Sequence, residues 1–167
     1  VDDALGYADT AQTVMGSALR TPPYAMEGWV GAAYAVVGQP ERWAELCRAQ
    51  LERRGDNHVY IRACRVFALS FAGAIDEALA GAEGLIEAGI ATGNPYMRTF
   101  AVAASAFFLT TGANAPAMQA CREGLALAQS SGNHFNESIL ALNLARLEAQ
   151  EAVNVQAIDH LTLVIRN

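Results

Sequence analysis

The sequence predicts an all-α protein folded as an α-solenoid of antiparallel helical hairpins, and three observations lead to this expectation. Apolar residues recur at helical spacing over nearly all of the 167 residues, and no alternating run of β-branched residues is long enough for a strand. Turn-forming residues interrupt this pattern regularly and leave segments of about 13 to 17 residues, an ordinary helix length. The segments also repeat in pairs, as a solenoid of helical hairpins requires.

The breaks between helices carry residues that end one helix and begin the next. Several pair a glycine suited to a helix C-terminus with an Asn or Asp N-cap, or place proline in the first turn. The breaks lie at Thr21-Pro22-Pro23, Gly38-Gln39-Pro40, Gly55-Asp56-Asn57, Gly73, Gly93-Asn94-Pro95, Gly112-Ala113-Asn114 and Ser131-Gly132-Asn133. They predict about nine helices.

An internal repeat emerges when alternate breaks are aligned, because an aromatic residue follows each of them. The aromatic residues, 36, 36 and 39 positions apart, are Tyr24, Tyr60, Tyr96 and Phe135. Ala32, Ala68 and Ala104 share one register on the first helices, where a small residue lets a partner helix approach closely. The second helices repeat too, so one continuous helix is expected through Ala78, Ala82 and Ile86. The predicted core includes Tyr60, Cys64, Phe67, Phe71, Tyr96, Phe100, Phe107, Leu125 and Ile139.

The period indicates a solenoid of the tetratricopeptide kind, in which each hairpin buries its face by stacking on the next. We expect a single helical-repeat domain over 1–167, itself a fragment of a longer protein. Its units are a half repeat at about 1–20 and four hairpins at about 22–55, 57–92, 94–131 and 133–167.

The fourth hairpin departs from the pattern. The register that holds Ala68 and Phe71 becomes Asn143 and Arg146 there. Either this helix rotates by one residue and buries Leu140, Leu144 and Leu147, or its polar groups face a groove. Rotation is the favoured interpretation.

Composition narrows the functions available. Because 17 acidic residues outweigh 11 basic ones, giving a formal net charge of −6, direct nucleic-acid binding is disfavoured. All 11 basic residues are arginine, so chemistry that depends on a lysine is absent. The three widely spaced cysteines, Cys47, Cys64 and Cys121, do not form a disulfide or metal-binding pattern. We therefore expect a cytoplasmic protein without catalytic residues, metal or cofactor, and no signal peptide or membrane helix is visible.

Arginine supplies the one repeated polar feature. Tyr60-x-Arg62 and Tyr96-x-Arg98 recur at a distance of 36 residues, and Arg65 follows Arg62 by about one turn. If the first helices line an inner wall, Arg62, Arg65 and Arg98 would share a groove that holds a carboxylate terminus or an acidic peptide. The alternative is that they pair with Glu and Asp of neighbouring repeats. Asn143 and Arg146 are the next candidates for a binding surface.

Several segments resemble a known family. Gly73-Ala-Ile-Asp-Glu-Ala-Leu79 and Ala117-Met-Gln-Ala-Cys-Arg-Glu-Gly-Leu125 resemble the turn and second helix of tetratricopeptide-like repeats. Gly93-Asn-Pro-Tyr96, echoed by Gly132-Asn-His-Phe135, is similar to connectors in the helical region of LuxR-type and adenylate-cyclase-type regulators of actinobacteria. This resemblance implies an ATPase domain of the STAND class before the repeats and a helix-turn-helix domain after them.

The resulting expectation is a non-enzymatic module that binds a protein, another domain of its own polypeptide or a small effector. It would be the sensing or scaffolding region of a signal-responsive transcriptional regulator. One alternative is a small α-helical enzyme or enzyme accessory domain acting on an anionic ligand, and another is a structural spacer that oligomerises. Self-association through the terminal helices is also expected, because apolar residues such as Val14, Ile158, Leu161 and Ile165 lie near both ends.

Overall fold

The computed structural model describes residues 6–7, 9–10, 13, 26–55, 58–106, 114–151 and 154–166. The chain divides into two compact units, Val1–Gly81 and Ala82–Asn167, and each is treated by itself. All regular secondary structure in the described residues is α-helical, which confirms the all-α prediction. The helices are α1 (Met26–Val36), α2 (Pro40–Arg54), α3 (Val59–Phe71), α4 (Ile75–Ala82), α5 (Leu85–Ala91), α6 (Pro95–Ala106), α7 (Asn114–Ser130), α8 (His134–Gln150) and α9 (Asn154–Arg166).

The predicted breaks fall between helices wherever both sides of a break are described. Gly38, Gly55, Gly73, Gly93 and Gly132 adopt positive φ angles of 66° to 87°, a conformation that suits glycine because it has no Cβ. The described residues do not include the Thr21-Pro22-Pro23 break, Tyr24, Asp56 and Asn57, Gly112 and Ala113, most of the half repeat at 1–20 or the core residue Phe107.

One break was not predicted. The expected helix through Ala78, Ala82 and Ile86 is two short helices, α4 and α5, because Gly84 between them adopts the left-handed conformation with φ of 65°. Glycine is tolerated inside helices, so the sequence alone does not show that this one interrupts the helix.

In the first unit, short connections make α1 and α2, and then α2 and α3, antiparallel neighbours, and α1 also contacts α3. Two glycines on α1 explain this close approach. A Cβ on Gly31 would overlap the indole ring of buried Trp43 on α2, and a Cβ on Gly28 would overlap the hydroxyl of Tyr60 on α3. The helices therefore meet where α1 carries no side chain.

In the second unit, α5 to α8 each pack on the next helix in the sequence, and α6 also contacts α8. Gly89 brings α5 against α6, since a Cβ there would lie 2.8 Å from the Cβ of Ala101. Gly124 on α7 is similarly placed, because a Cβ there would lie 3.2 Å from Val102 and 3.3 Å from Leu140. Small residues thus set the spacing of helices in both units.

Most of the predicted core is confirmed. The residues found buried are Tyr60, Cys64, Phe67, Phe100 and Leu125, whereas Tyr96 and Ile139 are half-buried. The prediction for Phe71 is wrong, because its side chain is 56% exposed. Phe71 is the last residue of α3, and its ring stacks on Trp43 with ring centroids 6.4 Å apart.

Candidate functional site

Arg62 and Arg65 lie half-buried on α3 in the first unit. The guanidinium of Arg65 lies 3.6 Å from a carboxylate oxygen of Glu77 on α4, the second helix of the same predicted hairpin. Two-thirds of the Glu77 side chain is exposed, so solvent screens this ion pair. Its contribution to stability is at most about 1 kcal/mol.

Arg98 has a comparable partner in the second unit. Its guanidinium on α6 lies 4.0 Å from a carboxylate oxygen of Glu123 on α7, and both side chains are substantially exposed. Arg65 and Arg98 therefore each pair with a carboxylate, as the alternative interpretation expected, although the pairs lie within one hairpin rather than between repeats. Arg62 and Arg65 belong to one unit and Arg98 to the other, so the shared groove stays a prediction.

Asn143 and Arg146 lie on α8 and reach the backbone of α6. The amide nitrogen of Asn143 donates to the Ala103 carbonyl at 3.2 Å, and a guanidinium nitrogen of Arg146 donates to the Ala106 carbonyl at 3.3 Å. Both bonds span 40 positions in the sequence. Asn143 is buried and Arg146 half-buried, and burial lowers the pKa of Arg146.

Asn136 continues this arrangement at the start of α8. Its amide nitrogen donates to the Tyr96 carbonyl at 3.3 Å, again 40 positions away, and to the hydroxyl of Thr99 at 2.6 Å. We call Asn136, Asn143 and Arg146 the polar ladder. The ladder connects α8 to the backbone near both ends of α6.

The ladder combines the two interpretations of the fourth hairpin. Leu140, Leu144 and Leu147 are fully buried, as the rotated helix predicts. The polar side chains also contribute to the packing of the helices, because Asn143 and Arg146 donate hydrogen bonds to backbone carbonyls of α6. The sequence showed that positions 143 and 146 depart from the apolar pattern. It could not show which groups they bind, because every residue carries a backbone carbonyl.

A buried carboxylate that the sequence analysis missed lies further along α8. Glu148 is only 1% exposed, and its two oxygens lie 3.3 Å from a guanidinium nitrogen of Arg122 on α7 and 2.7 Å from Nδ1 of His160 on α9. A buried charge is costly unless it is paired. Glu148 therefore joins three helices through its two partners. Nothing in the sequence around Glu148 indicates that its side chain is buried.

A second buried carboxylate, Glu137, lies three turns earlier on α8. It accepts a hydrogen bond from the side chain of Gln129 at 3.2 Å and lies 3.0 Å from Nδ1 of His134. These contacts connect the start of α8 with the end of α7. The acidic groups of α8 are thus engaged inside the second unit.

The first unit has a polar cluster of its own. The buried Tyr34 hydroxyl donates to Asp9 at 2.9 Å, and the Arg42 guanidinium pairs with Asp9 while lying 4.4 Å from the centre of the Tyr34 ring. The hydrogen bond from Tyr34 lowers the pKa of Asp9, and burial raises the pKa of Tyr34. This cluster connects the region around Asp9 to α1 and α2.

The cysteines Cys47, Cys64 and Cys121 are buried and free of disulfides. Burial raises the pKa of the Cys121 thiol to about 12, so it stays protonated and weakly nucleophilic at neutral pH. Within the described residues, no group of three or more His, Cys, Asp and Glu side chains could hold a metal ion.

The described residues form an all-α chain in which most helices pack antiparallel on the next helix in the sequence. Comparison with models of known protein families finds no match, and comparison with curated protein sequences finds none. None of the helices described has both the length and the apolar character needed to cross a membrane.

Proposed function

We propose that this chain is a non-enzymatic helical-repeat module that binds a protein or effector partner, in the manner of a tetratricopeptide-like α-solenoid. The observation that carries the proposal is the contact between first helices of successive hairpins. In the first unit a Cβ on Gly28 would lie 3.7 Å from the sulfur of Cys64, 36 positions away. In the second unit the polar ladder spans 40 positions. These separations match the 36-residue period and lie within one position of the 39-residue period, as repeat stacking requires.

The repeated connectors give independent support. In Gly93-Asn-Pro-Tyr96 the side chain of Asn94 accepts a hydrogen bond from the Tyr96 amide at 2.9 Å. In the second connector the side chain of Asn133 accepts from the Asn136 amide at 3.1 Å. Each Asn follows a glycine with φ of 66° and satisfies an amide in the first turn of a first helix. The resemblance between the connectors therefore extends to their hydrogen bonding.

The predicted partner contacts are Arg62, Arg65 and Arg98. The ion pairs of Arg65 and Arg98 with Glu77 and Glu123 are long and exposed, so they hold the guanidinium groups weakly. A ligand carboxylate that accepts two hydrogen bonds from one guanidinium can replace either Glu. An acidic peptide or a free carboxylate terminus is the ligand chemistry that fits.

The role within a larger protein rests on the resemblance of the connectors to those of LuxR-type regulators. On this proposal the chain is the sensing or scaffolding arm of a signal-responsive transcriptional regulator, and it does not contact DNA itself. An ATPase motif of the STAND class before this chain in its gene, or a helix-turn-helix domain after it, would support that role. A catalytic domain fused to it in place of both would contradict it.

The binding proposal can be tested with fluorescently labelled acidic peptides that end in a free carboxylate, measured by fluorescence anisotropy. We expect Arg62→Glu combined with Arg98→Glu to abolish binding while leaving helicity and the melting temperature almost unchanged. Arg53→Glu, the same charge change on the exposed end of α2, is the matched control. Equal loss in the control, or unchanged binding in the double variant, would contradict the arginine surface.

A further inference from the structure

The outer face of α9 is apolar and exposed. Val155, Ile158, Leu161 and Ile165 are 75%, 62%, 43% and 85% exposed. Successive helical residues turn by about 100°, so Ile158, Leu161 and Ile165 form a stripe and Val155 lies at its edge. The opposite side of α9 packs on α8 through buried Ala157 and through His160, which reaches Glu148. This helix is therefore apolar on a face that its own unit does not use.

Two opposite charges flank this stripe on one edge. Asp159 and Arg166 are exposed and seven residues apart, which is close to two full turns, so they lie on the same side of the helix. The part of the chain that the structure describes offers neither of them an ion-pair partner. We call this surface the α9 face. It comprises the two charges and the apolar residues Val155, Ile158, Leu161 and Ile165, and it carries one negative and one positive charge along one edge.

We propose that the α9 face binds the α9 face of a second copy of this chain, with the two helices antiparallel across a two-fold axis. Such an axis reverses the direction of the helix but brings the charged edge of one copy against the same edge of the other. Asp159 then lies opposite Arg166 of the second copy, and the contact occurs twice. In a parallel pairing the two-fold axis runs along the helices and places the charged edges of the two copies on opposite sides of the interface, so only the antiparallel arrangement brings Asp159 and Arg166 together.

The apolar residues fit the same register. With Asp159 opposite Arg166, the centre of the interface lies between Thr162 and Leu163. Ile165 of one copy then falls between Ile158 and Leu161 of the other, so the side chains alternate along the axis instead of colliding. One helix face buries less than the roughly 800 Å² per partner of a standard interface. We therefore expect a dimer that dissociates in the micromolar range or above.

This interface uses none of Arg62, Arg65 and Arg98, so it stands independently of the proposed partner binding. Sedimentation velocity over a range from about 10 µM to about 1 mM tests it, since that range spans weak dimer affinities. Wild type should shift from monomer to dimer with rising concentration. Ile158→Glu combined with Ile165→Glu should stay monomeric with unchanged circular dichroism, because both side chains are exposed. A wild type that stays monomeric, or a double variant that associates like wild type, would overturn the proposal.

Charge reversal tests the orientation. Asp159→Arg brings a second guanidinium opposite Arg166 in the antiparallel pair, so the dimer dissociation constant of this variant should rise about tenfold or more. Arg166→Asp should behave in the same way, and an equimolar mixture of the two variants should recover the dimer because each contact again joins opposite charges. Asp76→Arg, the same charge change on α4, is the control and should dimerise normally. In a parallel pair the charged edges lie on opposite sides of the interface and Asp159→Arg would not alter a contact between copies, so an unchanged dissociation constant would overturn the antiparallel arrangement.

Discussion

The two units use different means to bring together helices that are not consecutive in the sequence, α1 and α3 in the first unit and α6 and α8 in the second. In the first unit α1 approaches α2 and α3 where Gly28 and Gly31 leave room for aromatic rings. In the second unit α8 is tied to α6 by the polar ladder. The comparison shows that two helices can be brought together either where glycine leaves room for a ring or where side chains bond to a neighbouring backbone. The spacing of apolar residues in the sequence predicts the buried faces of the first unit, but it does not predict the polar ladder of the second.

The largest expected effect concerns the aromatic core of the second unit. Phe100 is buried and stacks on Tyr96 with ring centroids 5.8 Å apart. Phe100→Ala should lower the free energy of unfolding by about 3 to 5 kcal/mol, since it leaves a cavity. Phe71→Ala, at the exposed end of α3, should cost clearly less in the same denaturant titration. Equal losses would mean that the Phe71 ring is buried in solution.

A smaller effect tests whether shape governs the first unit. Gly31→Ala places a methyl group into the Trp43 ring, and overpacking of this kind costs about 1 to 3 kcal/mol. Gly6 is helical too, but a Cβ added there would have nothing within 4 Å, so Gly6→Ala is the matched control. That control should be neutral or slightly stabilising because alanine favours the helix. Thermal melts that show Gly31→Ala to be as stable as wild type would refute the close approach of α1 and α2.

The smallest effect concerns the polar ladder. Asn143→Ala removes the hydrogen bond to the Ala103 carbonyl and should lower the free energy of unfolding by about 1 to 2 kcal/mol. Gln150→Ala, at an exposed position on the same helix, should change it by less than about 0.5 kcal/mol. If the two substitutions proved equivalent, the ladder would contribute nothing to the packing of α8 on α6.

Helical spacing and turn residues were enough to predict the all-α class and the breaks near Gly38, Gly55, Gly73 and Gly93. These features are local, because a helix repeats every 3.6 residues and a glycine with positive φ ends it where it stands. The buried faces of α3 and α6 followed from the same spacing, as Cys64 and Phe100 illustrate.

The exceptions were not predictable from helical spacing and turn residues. Phe71 has the right register but is the last residue of α3, where its side chain is 56% exposed. Gly84 interrupts the predicted helix, whereas other glycines of this chain lie inside helices without interrupting them. Asn143 and Arg146 bond to main-chain carbonyls of α6, and Glu148 is buried only because Arg122 and His160 reach it from two other helices. The bonds of Asn143 and Arg146 and the burial of Glu148 therefore depend on neighbours that are distant in the sequence.

The central claim is that first helices of successive hairpins touch at equivalent positions of the repeat. Oxidative cross-linking tests it directly in Gly28→Cys combined with Tyr60→Phe, which removes the hydroxyl that a Cβ at position 28 would meet. Because that Cβ would lie 3.7 Å from the sulfur of Cys64, peptide mass mapping should find a disulfide between positions 28 and 64. Ala33→Cys, on another side of α1, should not link to Cys64. A folded variant that forms no 28–64 disulfide, or links position 28 to Cys47 instead, would contradict the register.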